Sequence, residues 1–168
     1  MKMKIRKITL KDITIFFEFF QKTVSAEFPE YTKGDLEYIF TRGWSKKNYK
    51  DWLKNKERYI LGAFNDGKLI AFLDAKEPEL GVCYCNWIMV DKKHQKKGIG
   101  TNLLSKLEKD MKNKGAHMIF LYAGKQNIPY YKKIGYKWVG NMKKSWLGQD
   151  HHILTKLIQK PTEENYLL

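Results

Sequence analysis

A short segment in the middle of the chain combines glycine, positive charge and a change of secondary structure. It reads Gln95-Lys96-Lys97-Gly98-Ile99-Gly100 and lies between an apolar run that ends at Val90 and a helical pattern that begins at Ile99. Glycine lets backbone N–H groups approach a ligand, and the first N–H groups of a helix have no intrahelical acceptor. The surrounding lysines are Lys92, Lys93, Lys96 and Lys97. Because a helix N-terminus is also partially positive, the segment is predicted to bind phosphate; the alternative is a turn with solvated lysines.

Two common nucleotide-binding motifs do not fit this segment. A P-loop requires G-x-x-x-x-G-K-[ST], and neither Gly98 nor Gly100 begins such a run. The dinucleotide fingerprint G-x-G-x-x-G requires a third glycine where Leu103 stands. That fingerprint also belongs to a parallel sheet, whereas the strands before this segment are predicted to form an antiparallel meander.

A second segment, Asn127-Ile128-Pro129-Tyr130-Tyr131-Lys132-Lys133-Ile134-Gly135-Tyr136, follows the next predicted strand. With the first segment it resembles the GNAT superfamily of N-acetyltransferases, whose coenzyme A site reads [QR]-x-x-G-x-[GA]. The family usually carries an N-x-x-A-x-x-x-Y-x-x-x-G-[FY]-like segment at the second position. The version here is one or two residues shorter and lacks the alanine. In the order of its elements, the resemblance covers nearly the whole chain.

The resemblance implies an enzyme that moves an acetyl group from acetyl-CoA, its co-substrate, to a primary amine by direct attack through a tetrahedral intermediate. The backbone of Gln95 to Gly100 is then expected to bind the pyrophosphate. Backbone N–H groups near Met89 or Val90 would polarise the thioester carbonyl. The residues implied to bind the coenzyme are Met89, Val90, Gln95, Lys96, Lys97, Gly98, Ile99, Gly100, Thr101 and Asn127. No metal is implied.

Tyr131 matches the family tyrosine that protonates the departing thiolate, so it is the predicted catalytic residue. A phenol is protonated at neutral pH and can donate a proton. The alternative for Tyr131 is a packed aromatic side chain in a short helix. Its neighbour Tyr130 competes for the role, because adjacent helical residues point in different directions.

The general base is not assigned by the sequence. Some family members place a glutamate on the strand before the phosphate loop, but no acid lies between Val82 and Val90. The nearest acids are Asp74, Glu77 and Glu79. Deprotonation through ordered water is therefore expected, and Asp74 is expected to face outward from its apolar strand.

The predicted fold class is α/β: a GNAT-like mixed, mostly antiparallel sheet with a central parallel pair and helices on both faces. An Asp66-Gly67 turn predicts a hairpin, and a long strand spans Val82 to Val90. Apolar residues from Ile99 to Met111 follow helical spacing. The continuous apolar strand from Met118 to Tyr122 is expected to be buried on both faces. A short helix at 128–133 and strands at 136–139 and 153–158 are predicted to complete the fold.

The length of 168 residues favours one domain, predicted at 1–160 with a C-terminal tail at 161–168. No secretory leader or membrane-spanning apolar run is seen, so a cytoplasmic monomer or homodimer is expected, with no membrane partner. Cys83 and Cys85 are expected to be small buried side chains in a reducing compartment. The four histidines lack metal-site spacing.

The formal net charge of +14 raises a competing hypothesis. Residues 125–144 hold six lysines and no acid, together with four tyrosines and tryptophans, as in surfaces that bind single-stranded nucleic acid. No RRM, KH or helix-turn-helix pattern is visible, so nucleic acid is not the expected partner. A second alternative is a regulator of the same fold that binds coenzyme A without catalysis.

The acceptor is expected to be a small-molecule amine, a polypeptide N-terminus or a lysine. By the resemblance, its specificity lies in Phe28 to Lys56 and in Asn141 to His151. The aromatic residues of these segments either line an acceptor pocket or pack in the core: Phe28, Tyr31, Tyr38, Trp44 and Trp146.

Overall fold

The computed structural model describes residues 3–167 and contains one seven-stranded sheet in the order β1-β2-β3-β4-β5-β7-β6. The strands are β1 (Lys4–Lys7), β2 (Arg58–Asn65), β3 (Lys68–Lys76), β4 (Val82–Val90), β5 (Met118–Ala123), β6 (Lys137–Met142) and β7 (His151–Leu157). β4 and β5 pair in parallel, whereas the pairs β1–β2, β5–β7 and β6–β7 are antiparallel. The predicted α/β class, a mostly antiparallel sheet with a central parallel pair, is confirmed.

The helices are α1 (Ile13–Glu27), α2 (Lys33–Tyr38), α3 (Lys46–Lys54), α4 (Ile99–Lys112), α5 (Ile128–Lys133) and α6 (Glu163–Tyr166). Side-chain caps begin two of them. The Thr32 hydroxyl accepts a hydrogen bond from the N–H of Asp35, and the Ser45 hydroxyl accepts one from the N–H of Asn48, both at 3.1 Å. Such caps satisfy N–H groups that the first helical turn leaves unpaired.

The hairpin of β2 and β3 forms as predicted. Its two turn residues, Asp66 and Gly67, have φ values of 47° and 77°. A two-residue turn with positive φ at both central positions has a twist that matches the twist of the paired strands. The Asp-Gly sequence favours this turn. The two last strands are displaced from their predicted positions, to Lys137–Met142 and His151–Leu157.

The fold divides into two compact units, and the first comprises 3–74 and 87–103 of the described residues. Its core is aromatic. Phe16 meets Tyr49 edge-to-face at a centroid distance of 4.8 Å and Phe72 at 5.1 Å, and Phe20 meets Tyr49 at 5.5 Å. All four rings are fully buried. Edge-to-face pairs of this kind add stability beyond the burial of their apolar area.

The second unit comprises 75–86 and 104–167 of the described residues. Cys83 and Cys85 are buried thiols in this unit, as predicted. The expectation that Met118 to Tyr122 would be buried on both faces is wrong. Ile119 and Leu121 are buried, but Phe120 and Tyr122 on the other face are only half-buried. Large aromatic side chains gave the strand an apolar composition although one of its faces is incompletely covered.

The domain prediction of 1–160 with a tail at 161–168 stays a prediction. Met1 and Lys2 of that domain, and Leu168 of that tail, lie outside the described residues. Within the tail, α6 forms a short helical turn, and the ring of Tyr166 meets that of His117 at 5.9 Å.

Asp74 on β3 corrects a second expectation, because it is wholly buried rather than outward-facing. Its carboxylate accepts a hydrogen bond from the Tyr49 hydroxyl at 3.3 Å, and Arg58 Nη1 lies 3.8 Å from it. The Arg58 guanidinium also lies over the ring of Trp52 at 4.5 Å. A buried carboxylate needs such partners, which lie 16 and 25 residues away along the chain.

Replacing Asp74 by alanine is expected to lower the free energy of unfolding by about 3–5 kcal/mol, because Arg58 is then buried without this carboxylate. Denaturant unfolding measures the effect. Asp51→Ala is the control: its carboxylate pairs with exposed Lys47 at 3.2 Å, and the change should stay within about 0.5 kcal/mol. Equal costs for the two variants would contradict a structural role for the buried pair.

Candidate active site

The turn between β4 and α4 has the backbone geometry of an anion site. Lys96 has a φ of 60° and Gly98 a φ of 77°, and a Cβ added at Gly98 would meet nothing within 4 Å. The N–H of Asn102 donates to the carbonyl of Gly98 at 3.0 Å, so Gly98 stands at the N-terminal end of α4. The positive end of the helix dipole therefore lies at this turn. Such a turn can hold a phosphate oxygen.

The Gln95 side chain ties this turn together. Its amide donates to the carbonyl of Val90 and to the carboxylate of Glu27 on α1, each at 3.1 Å. It thereby joins the end of β4 to the start of the glycine-containing stretch. We did not predict the contact with Glu27, because the two residues are 68 positions apart and no local pattern signals their pairing.

Asp91 holds the other end of the turn. Its N–H donates to the carbonyl of Ile70 at 2.9 Å, and its carboxylate accepts from Lys22 Nζ at 3.1 Å and from the N–H of Lys93 at 3.0 Å. Burial alone would raise the pKa of this carboxyl, but the hydrogen bonds from Lys22 and Lys93 lower it overall. The acid is therefore ionised at neutral pH and bound to donors within the turn.

The four lysines of the turn, Lys92, Lys93, Lys96 and Lys97, are all exposed. Lys97 Nζ donates to the carbonyl of Lys93 at 3.0 Å. Exposed ammonium groups beside a helix N-terminus supply the charge that a phosphate requires. The residues present therefore fit a phosphate-bearing ligand such as coenzyme A.

The remaining residues predicted to bind the coenzyme in this unit lie on either side of the turn. Met89 is buried and Val90 half-buried at the end of β4, and Thr101 is half-buried in the first turn of α4. Nearby on β4, the indole of Trp87 meets the rings of Phe28 at 5.8 Å and Trp44 at 5.5 Å. Two of the aromatic residues expected at an acceptor pocket thus pack against Trp87.

The predicted proton donor lies in the second unit, on α5. Tyr131 is 6% exposed, whereas its neighbour Tyr130 is 37% exposed. Burial raises the pKa of Tyr131 above its ordinary value, and the nearby Cys85 and Tyr130 raise it further. The phenol therefore stays protonated at neutral pH. Asn127, at the N-terminal end of α5, is exposed, and its side chain makes no capping hydrogen bond.

The structure thus brings Met89, Val90 and residues 95–101 together in the first unit, and Asn127 and Tyr131 together in the second. Two of the three acids considered as general bases are paired with other residues. Asp74 is paired with Arg58 and Tyr49, and Glu77 forms an ion pair with Lys114. Glu79 is exposed in the loop after β3.

Comparison with known proteins shows the family to which this chain belongs. A profile of the acetyltransferase (GNAT) family matches residues 18–136. The chain is 26% identical over 160 residues to an uncharacterised N-acetyltransferase of Methanocaldococcus jannaschii, a match covering 85% of this chain and 64% of that protein's length. It therefore spans less than two thirds of this relative.

Solved structures agree on the fold. PaiA N-acetyltransferase from Thermoplasma acidophilum, solved with coenzyme A, superposes with a TM-score of 0.79 at 26% identity, over 94% of this chain and 99% of that one. The ribosomal-protein-S18-alanine N-acetyltransferase of Escherichia coli superposes with a TM-score of 0.73 at 19% identity, over 98% and 99%. The latter likeness shows the fold alone. The chain belongs to the GNAT family of acetyltransferases.

Two further features concern the described range, residues 3–167. In this range no group of three or more His, Cys, Asp or Glu side chains is placed to hold a metal ion. Over the same residues, none of the helices has the length and apolar character needed to cross a bilayer.

The buried tyrosines predict a loss of stability at alkaline pH. Burial raises the pKa values of Tyr131 and Tyr136, and raises that of Tyr31 to about 12. An unfolded tyrosine ionises near pH 10. The unfolded state therefore loses protons first, and stability that is complete below about pH 10 falls as the pH rises towards the folded pKa values.

Denaturant unfolding at neutral and alkaline pH measures this loss, and Tyr131→Phe should reduce its steepness. Tyrosinate absorbance that develops near pH 10 for all ten tyrosines while the fold is intact would contradict the prediction.

Proposed function

We propose that this protein transfers an acetyl group from acetyl-CoA to a primary amine by direct attack and a tetrahedral intermediate. The observation that carries the proposal is the turn from Gln95 to Gly100, with its open glycine and exposed lysines at the N-terminal end of α4. Membership of the GNAT family, and a relative solved with coenzyme A, support the same ligand.

In this proposal the turn holds the pyrophosphate of the coenzyme. Gln95 and Asp91 keep the backbone of the turn in place before the ligand arrives, which lowers the entropic cost of binding. Lys96 and Lys97 contribute charge, and Thr101 contributes a hydroxyl. Backbone N–H groups near Met89 and Val90 polarise the thioester carbonyl.

Tyr131 is the proposed general acid. When the C–S bond breaks, the departing thiolate takes the phenolic proton, and the burial of Tyr131 keeps that proton in place until then. Tyr130 is more exposed, which supports the choice between the two neighbours.

The acceptor is a primary amine, of a small molecule or a polypeptide. Structures of similar fold include an aminoglycoside 6′-N-acetyltransferase and the S18-alanine acetyltransferase, so the fold serves both kinds of acceptor. The competing hypotheses make different predictions. A regulator would bind acetyl-CoA without releasing thiol, and a nucleic-acid protein would bind oligonucleotides that coenzyme A does not displace.

Replacing Gly98 by alanine is expected to weaken acetyl-CoA binding about tenfold or more, because the new Cβ enters the space proposed for the pyrophosphate and strains the backbone. Isothermal titration measures the affinity. Gly67→Ala is a matched control, since Gly67 has the same φ of 77° and the same open surroundings but lies in the β2–β3 turn. Unchanged affinity in Gly98→Ala would move the coenzyme site elsewhere.

Replacing Tyr131 by phenylalanine is expected to lower kcat by about 10²-fold, the usual size of a general-acid contribution. Acetyl-CoA affinity should be retained, because one hydroxyl is lost and little volume. The loss should shrink with an acyl donor whose thiol leaves more easily. Release of free thiol under single-turnover conditions measures the step.

Tyr130→Phe serves as the control and should keep nearly full activity. Full kcat in Tyr131→Phe, with chemistry rate-limiting, would transfer the role to water or to another residue.

A further inference from the structure

The loop between β6 and β7 contains a serine and a histidine in direct hydrogen-bonding contact. Ser145 Oγ lies 2.8 Å from His151 Nδ1, and the carbonyl oxygen of Gln149 lies 3.2 Å from the same nitrogen. Ser145 Oγ is also 3.1 Å from that carbonyl. Both side chains are half-buried. Both residues lie in the segment from Asn141 to His151 that the resemblance links to acceptor specificity, and neither was predicted to be catalytic.

The carbonyl determines which imidazole nitrogen carries the proton. A carbonyl oxygen only accepts, and that of Gln149 accepts from the N–H of Ser145 at 2.9 Å as well as from its hydroxyl. Its contact with the imidazole favours a proton on Nδ1. Ser145 Oγ can then accept from the Nδ1–H group. With its proton on Nδ1, the neutral imidazole has a lone pair on Nε2 that can accept a proton. The hydrogen bond at one ring nitrogen thus decides which form the other nitrogen takes.

The position of His151 within the second unit fits a role in catalysis. β5 and β7 pair antiparallel, and Ala123 and His152 are the last pair of opposite residues at the carboxyl end of β5. His151 lies one residue beyond that pair. The chain turns from that end of β5 into α5, which carries Tyr131. The parallel register of β4 with β5 runs only to the pair Cys85 and Leu121, two residues before β5 ends.

Aromatic rings surround the imidazole on this side. Trp146 and Tyr122 meet it edge-on at centroid distances of 5.4 Å and 6.2 Å, and they meet each other at 4.7 Å. Trp146 is half exposed, so the group of rings is open to solvent on one side. Such rings attract an alkylammonium group through its charge and reduce the water around it.

We propose that His151 is the general base that deprotonates the acceptor amine, that Ser145 orients it, and that Trp146 and Tyr122 receive the amine beside it. The inference rests on the proposed acetyl transfer. It is supported by the engagement of Asp74 and Glu77 with cationic partners.

The proton balance is complete with residues of this chain. An acceptor that arrives as ammonium first loses one proton to solvent. His151 Nε2 then takes a proton from the amine nitrogen as the new C–N bond forms, and Tyr131 gives its proton to sulfur as the C–S bond breaks. Solvent exchange returns a proton to Tyr131 and removes one from His151. The net result is one amide, one thiol and no redox change.

The test uses the full-length protein, acetyl-CoA and primary amines of decreasing basicity, from ethylamine through 2-methoxyethylamine to 2,2,2-trifluoroethylamine. His151→Gln should lower kcat for ethylamine by about 10²-fold. The loss should shrink towards trifluoroethylamine, because the N–H of the attacking nitrogen becomes more acidic as the amine becomes less basic and then loses its proton more readily to water. Added imidazole should partly restore the rate of His151→Ala. Ser145→Ala should lower kcat several-fold with little change in KM for acetyl-CoA.

His152→Gln is the matched control, because His152 Nδ1 accepts from Trp138 Nε1 at 3.1 Å and belongs to the opposite face of β7. Its kcat should match that of the wild type. The proposal is overturned if His151→Gln keeps full kcat, or if the folded variants lose activity equally with every amine and imidazole restores none. If His151→Gln does not fold, the kcat of Ser145→Ala tests the proposal instead, and an unchanged kcat overturns it.

Failure of the underlying function gives a different result. If the wild type releases no thiol with any of these amines or with a peptide N-terminus, acetyl transfer itself is refuted and the role of His151 with it. If the wild type is active and replacing His151 has no effect, only the assignment of His151 as the general base is refuted.

Discussion

The turn between β4 and α4 must hold Lys96 and Gly98 at positive φ while its outer side stays open to a ligand. A backbone of this kind persists only where other contacts fix it. Here Asp91 and Gln95 supply those contacts, and the side of the turn at Gly98 is left open. A ligand with negatively charged oxygens can therefore bind without displacing any bond that maintains the turn.

The distribution of charge follows from the same constraint. Asp91 and Glu27 lie close to a turn that is proposed to bind an anion, which would oppose binding if their charges were uncompensated. Each instead accepts from a donor within or beside the turn: Asp91 from Lys22 and Lys93, and Glu27 from Gln95. Three further lysines, Lys92, Lys96 and Lys97, are exposed at the surface of the turn. The acids thus fix backbone and side-chain positions, while the local charge stays positive.

Sequence alone could predict the features that depend on neighbouring residues. The Asp66-Gly67 turn, the helix starting at Ile99 and the parallel pair follow from local turn chemistry, periodicity and the order of elements. Features set by distant contacts were missed. The burial of Asp74 depends on Arg58 and Tyr49, and no spacing rule connects these positions. The half-open aromatic face of β5 looked like buried core because composition does not reveal what covers a strand.

The second unit carries the two groups proposed for proton transfer on different segments. Tyr131 is carried on the helix that follows β5, and His151 is carried on the strand that returns beside it. Because acid and base come from independent segments, the environment of each can differ. Tyr131 is buried among apolar and thiol groups, which keeps its proton bound. His151 is half-buried and contacts a carbonyl and a hydroxyl, which leaves a lone pair on its other nitrogen. A donor and an acceptor of protons at neutral pH require such opposite environments, and the β5–α5 and β6–β7 connections provide them within about forty residues.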